Sequence, residues 1–242
     1  MKSLLRPAVA MIELIFAIVV MGIALMSAPM LISTATQSSF VAIQQEAISE
    51  AASHLNMVMG YHWDEGDAND LYLDPILVVS NGDLNLNAQV GTGRRSGTPI
   101  ESKRSFIRED GTKNISATAP TSLGIDTGET TEDDVDDFIG DHDLILIESA
   151  SADYVEGAGD IKISTTVTYI NDTPGGGTYE NPGTNKKLTF STFTTNPTNS
   201  TNIKRIVVKL TDESDVEELN KTIVLQAFTC NIGGYELETK AF

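Results

Sequence analysis

Between Met11 and Ile32 the chain reads MIELIFAIVVMGIALMSAPMLI, 22 residues with one ionisable side chain, Glu13. As a helix, at about 1.5 Å per residue, the run covers roughly 33 Å, enough to cross a hydrocarbon core of about 30 Å. Lys2 and Arg6 precede it and a strongly acidic chain follows it. That asymmetry predicts an amino terminus in the cytoplasm and the bulk of the chain outside. A cleaved secretory signal is the competing explanation, but its apolar stretch is only about 7–15 residues long and ends at a small-residue cleavage site. A carboxylate inside the hydrocarbon costs roughly 2.5–3.5 kcal/mol on insertion scales. Glu13 therefore either has a partner or sits at the membrane edge as an interfacial marker.

Ala8-Val9-Ala10-Met11-Ile12-Glu13-Leu14, followed by Gly22 and Pro29, resembles the type IV prepilin signal. The resemblance implies a leader over residues 1–8, cut by prepilin peptidase between Ala8 and Val9 on the cytoplasmic side. Val9 would then be N-methylated, and Glu13 would be the fifth residue of the mature chain. Ala8 stands where the family usually has Gly, Val9 where it has Phe, and Pro29 falls one residue before the usual proline. The family packs its amino-terminal helices into a fibre core, where Glu13 would meet the amino group of Val9 on a neighbouring subunit. Independently of the family, a carboxylate drawn from the bilayer into a protein core needs a cation or hydrogen bonds. One such charge sets register, as a buried polar residue does in a coiled coil. Gly22 suits close helix packing and Pro29 removes a backbone hydrogen bond. In pilins these two positions let the helix bend during assembly.

Beyond the apolar run, Phe40, Ile43, Ala47, Ile48, Ala51, Leu55 and Val58 recur at three- and four-residue spacing. That pattern predicts one long helix over residues 9–60, membrane-spanning over 9–33 and then amphipathic, with Gly60 as its stop. His54 on that helix reads as a satisfied histidine rather than a ligand. Residues 61–143 are poor in periodicity; Leu71–Leu73 and Ile76–Val79 read as edge strands or loop anchors. Arg94-Arg95 and Lys103-Arg104, the basic cluster outside the leader, read as a solvated loop. Strand signals follow at Leu144–Ile147, Ile161–Tyr169, Lys187–Thr195, Ile203–Thr211 and Thr222–Ile232. Short links between them predict an antiparallel meander. The expected fold is therefore α+β, a long amino-terminal helix packed on an antiparallel head over residues 61–242, which is also the pilin architecture.

A net charge of −18 argues against nucleic acid as a partner, because phosphate binding needs a basic face. The one cysteine, Cys230, excludes an internal disulfide and reads as a buried small hydrophobe. No nucleophile elbow, phosphate loop or zinc-protease motif is present, so no enzyme is expected. Within Glu132–Asp141, Asp133, Asp134, Asp136 and Asp137 offer hard oxygens that suit calcium. Their spacing does not match the EF-hand, so a solvated or turn-capping run without cofactor is expected. The same segment with Gly140, and Lys204–Val208, resemble minor pilins of the mannose-sensitive haemagglutinin type. The resemblance implies a minor pilin or, as alternative, a type II secretion pseudopilin. Its partners would be prepilin peptidase, other pilin or pseudopilin subunits, the inner-membrane assembly platform and the inner membrane itself. Such a protein is held in the bacterial inner membrane, head periplasmic, before entering a pilus or pseudopilus. A membrane-anchored calcium-binding or adhesive surface protein is the further alternative.

Overall fold

A computed structural model describes residues 5–68, 76–86, 95, 115–143, 161–179, 187–190, 194–212 and 220–233. Helix α1 runs from Leu5 to Val58, 54 residues without interruption at Gly22 or Pro29. It is apolar and long enough to cross a membrane. Around the proline, hydroxyls turn back onto the helix: Ser27 donates to the Ala24 carbonyl, Thr34 to Met30 and Thr36 to Ile32 and Ser33. At the far end, Met59 N–H donates to Leu55 O and Gly60 N–H to Met57 O at 2.9 Å, tightening the last turn where the sequence placed its stop.

Four antiparallel strands follow: β1 (Gly140–Asp143), β2 (Ile161–Tyr169), β3 (Ile203–Asp212) and β4 (Ile223–Cys230). Their spatial order is their chain order, a meander. The alternation of Ile161, Ile163, Val167 and Tyr169 puts these side chains on one buried face of β2, with Thr165 between them. Register aligns them with β3: Val167 faces Ile206, Thr165 faces Val208 and Ile163 faces Leu210. β1 lies just before the expected Leu144–Ile147, a segment outside the described residues. Its polar Gly-Asp-His-Asp sequence forms an edge strand, entered through Gly140 at φ +148°.

The second half of α1 lies across this sheet. Ala47, Ala51 and Val58 are buried with Val135, Phe138 and the inward residues of β2 and β3, and Ile43 and Leu55 pack at the margin. The small Ala47 and Ala51 let the helix backbone approach the sheet closely. Ile48, expected on this face, points outward and is 37% exposed. A separate cluster gathers Trp63, Leu77, Val79 and Tyr169 beyond the end of the helix.

Two further expectations change, at Lys187–Thr195 and Cys230, and one narrows, at Ile76–Val79. Lys187–Thr195 is not a strand among its described residues; Thr189 bridges Gly176 and Thr195 bridges Ile170. Both edges of β2 are already occupied by β1 and β3, so the sheet has no place there for it. Ile76–Val79 is a loop anchor, with Ile76, Leu77 and Val79 buried and Val78 bridging Ser116; Leu71–Leu73 lies outside the described residues. Cys230 is exposed, because β4 alternates half-buried and exposed positions and Cys230 falls in the outward phase with Val224, Gln226 and Phe228.

Ala51 is fully buried in the helix–sheet core, so Ala51→Leu should lose about 1–3 kcal/mol of unfolding free energy by overpacking. Ser53→Leu, on the exposed side of the same helix, should change it by less than about 0.5 kcal/mol. Urea unfolding of the detergent-solubilised chain measures both, and equal effects would refute the helix–sheet packing described above.

Candidate functional site

The first half of α1 is bare. Phe16 is 68% exposed, Leu25 74% and Met26 83%, and Phe40 is its first half-buried residue. Glu13 is exposed on this half, and no cation meets it among the described residues. A methyl group added at Gly22 would have open space around it. Ala8 and Val9 belong to the α1 backbone, and their side chains lie outside the described residues. The structure thus places Glu13, Gly22 and Pro29 on one apolar rod that no other described residue covers.

The chemistry-bearing centre of the head is one that the sequence reading missed. Lys204, on β3, is fully buried. Its ammonium donates to the Trp63 carbonyl at 2.7 Å, to Asp64 Oδ2 at 2.9 Å and, in a short bond, to Asp136 Oδ1. It also lies 4.7 Å from the Trp63 ring centre and 5.5 Å from that of Tyr169, its cross-strand neighbour. Asp64 is held from every side. The Thr118 N–H and hydroxyl, Gly66 N–H and Tyr169 hydroxyl all donate to it at 3.0–3.2 Å. The signal was present in the alternation of β3: Lys204 shares phase with Ile206, Val208 and Leu210, where a solvated lysine has no place.

The acidic run supplies the other wall of this centre, and its middle is not solvated, although Glu132 and Asp141 at its ends are exposed. Asp134, Asp136, Asp137 and Phe138 are buried. Asp134 Oδ1 accepts from the backbone N–H of Asp136 and Asp137, while Asp137 Oδ2 accepts from those of Asp133 and Asp134. Asp136 Oδ2 accepts from Gly124 N–H at 3.2 Å. Capping, the second half of the expectation, describes these residues well. Burial pulls the Lys204 ammonium down, but Asp64, Asp136 and Asp134 outweigh it and leave it raised. One cation cannot balance three buried carboxylates, and burial together with Asp136 pushes Asp134 up to about 8.

Of the four calcium candidates, only Asp133 belongs to a cluster that could hold a cation, with Glu65 and Glu129 and ligand atoms within 4.8 Å of one another. Burial, then Asp133 and Glu129, pushes Glu65 up to about 7. With one ligand atom from each, the cluster offers three of the six to eight oxygens calcium takes, and second carboxylate oxygens, carbonyls or water would have to supply the rest. Asp134, Asp136 and Asp137 do not converge with them; Asp134 Oδ1 and Asp137 Oδ2 serve the backbone and Asp136 serves Lys204 and Gly124.

Two other polar sites tie the head together. Asp172, buried, accepts from Asn202 N–H at 3.0 Å, its amide at 2.7 Å and Asp83 N–H at 3.0 Å. Asn231 exchanges hydrogen bonds with both backbone groups of Leu77. Arg95 joins this lock, donating to the Leu86 carbonyl at 2.7 Å and to Asn202 Oδ1 at 3.1 Å, so it is not part of a solvated loop. Arg94, Lys103 and Arg104 lie outside the described residues. His54 fulfils its expectation: half-buried, it pairs with Thr165 Oγ1 at 2.9 Å and stands 5.3 Å from the His142 ring. Burial and then His142 hold it below the usual histidine range, against Glu50.

Comparison of the chain with known protein families, with curated proteins and with solved structures finds no match. The reading of function accordingly rests on the residues themselves.

The charge centre has a pH signature. A carboxyl raised on folding costs stability progressively as pH climbs from its unfolded pKa to its folded one, and no more above it. Asp134, at about 8, should remove about 1 kcal/mol of stability per pH unit between about pH 4 and pH 8. His54 acts oppositely: lowered on folding, it costs stability as pH falls below 6.5, where the unfolded chain takes up its proton first. Thermal midpoints of the detergent-solubilised chain should therefore fall between pH 6.5 and about pH 8 and level off above it. Asp134→Asn, which keeps the Oδ1 acceptor, should make that fall shallower; an unchanged slope would show that Asp134 is not the titrating group.

Proposed function

We propose that this chain is a structural subunit, a minor pilin, of a type IV pilus-like fibre, assembled through its amino-terminal helix. The observation that carries the reading is the division of α1. One half is docked on the sheet; the other is a bare apolar rod bearing a single carboxylate without a partner among the described residues. An apolar helix can exchange lipid for neighbouring helices at little cost, because both surroundings are equally apolar. Glu13 cannot make that exchange unpaired. An amino group freed by cleavage between Ala8 and Val9 is a cation of the right kind at the right depth. The open space at Gly22 admits a close neighbouring helix. Pseudopilins carry the same signal, and a type II secretion pseudopilin is the alternative reading.

Glu13→Val separates an assembly residue from an interfacial marker. By removing the charge it should ease membrane insertion, by up to about 3 kcal/mol on insertion scales. We expect the variant to be inserted and cut to begin at Val9, yet missing from sheared fibres, because the neighbour's amino group would be buried alone. Intact mass of the membrane form and fractionation of native-host cells read both outcomes. Normal recovery of Glu13→Val in fibres would refute the pairing. An uncut chain, or a cut well inside the apolar run, would refute the pilin reading.

A further inference from the structure

We propose that Lys204 and Asp136 condense into an intramolecular amide that staples β3 to the acidic segment. The inference is independent of the pilin reading. It starts from three reactive groups fixed against each other in a site closed to water: an amine, a carboxyl that can be attacked and a second carboxyl that can move protons.

The roles follow from the hydrogen bonds. Asp64 accepts from four protein donor groups besides the ammonium, which hold its oxygens beside the amine and leave its carbon no room to be attacked. It is the base. Asp136 is less encumbered: Oδ1 meets the Lys204 ammonium and Oδ2 meets the Gly124 N–H. That N–H is placed to stabilise charge on Oδ2 when the carbon becomes tetrahedral. Gly124 presents it from a backbone at φ +111°, a conformation suited to glycine. The Trp63 carbonyl, at 2.7 Å, fixes the amine on its remaining side. Burial favours Asp136 as the neutral acid, the form that can be attacked, though Lys204 opposes this.

The reaction needs no other reagent. The ammonium first passes a proton to Asp136 Oδ1, leaving a neutral amine and a neutral acid. The amine lone pair bonds to Asp136 Cγ, while Asp64 takes a second proton from the nitrogen and hands it to Oδ1. The Cγ–Oδ1 bond breaks, Oδ1 leaves as water with both protons, the third proton stays on the amide nitrogen, and Asp64 is again a carboxylate. One positive and one negative charge disappear from a buried site, which relieves the desolvation that both suffer. In bulk water an ammonium and a carboxylate do not condense. Fixed side by side, such groups reach effective concentrations of about 10⁵–10⁸ M, enough to reverse that preference. The product also fills a gap: with Cys230 as its one cysteine, the chain has no internal disulfide to hold its head.

Mass spectrometry decides the matter. The full chain, made in a host without prepilin peptidase and folded in detergent, should be lighter than its sequence by the mass of one water. Trypsin should fail to cut after Lys204, and fragmentation should find a branched peptide joining the segments of Lys204 and Asp136. Lys204→Arg and Asp136→Ala should restore the full mass. Asp64→Asn should give a folded, protease-resistant chain that keeps its water. A folded parent chain of unmodified mass, cut normally after Lys204, would overturn the proposal. So would a water loss mapped to a succinimide at any aspartate. Both overturning results come from the parent chain, so they stand even where a variant fails to fold.

Discussion

A single buried ammonium organises the head. Lys204 reaches from β3 through a layer of aromatic rings to the turn after α1, through Asp64, and to the acidic segment, through Asp136. A cation with no exposed surface must be matched at every donor, so the chain around it has little freedom. The position of Trp63 follows from its carbonyl, and that of Thr118 from its three contacts with Asp64. Removing one partner would leave a charge stranded, at a cost of about 3–5 kcal/mol. An apolar core could be equally stable. What the charge adds is a fixed geometry in a head with few regular elements among its described residues.

This centre explains why the acidic run behaves as it does. Five carboxylates among six residues would ordinarily face water. Asp136 instead completes the lysine's coordination, and Asp134 and Asp137 turn inward to cap the short helical turn that carries it. Of the remaining two, Glu132 is exposed and Asp133 joins Glu65 and Glu129 at the rim, where repulsion between them is tempered by solvent. The net charge of the chain thus says little about its surface in this region.

Legibility in the sequence followed periodicity. The extent of α1, its stop at Gly60, strands β2, β3 and β4, and the meander could all be read, because burial on one face writes itself at intervals of two or of three to four residues. β1 could not. Gly-Asp-His-Asp has no strand signature, and it pairs because β2 offers an open edge. The polar locks were illegible for a related reason. Asp64 and Lys204 lie 140 residues apart, and Asp172 and Asn202 lie 30 apart. No local pattern reports a hydrogen bond over such separations. Cys230 was misjudged because apolar neighbours in sequence do not reveal the phase of an edge strand with one open face.

The two halves of α1 divide the molecule's obligations. From Ala47 onward the helix cannot leave the sheet without uncovering Val135, Phe138 and the inward faces of β2 and β3. Before Phe40 it has no such tie. Between them lies the weakest part of its hydrogen-bond ladder. Pro29 donates nothing to the preceding turn, and the hydroxyls of Ser27, Thr34 and Thr36 compete for carbonyls on either side of it. Bending confined to that stretch would reorient the apolar rod while leaving the Lys204 centre undisturbed. A rigid charged head and an adjustable apolar stem are therefore compatible demands on one continuous helix, because the interactions enforcing each begin on opposite sides of residues 27–36.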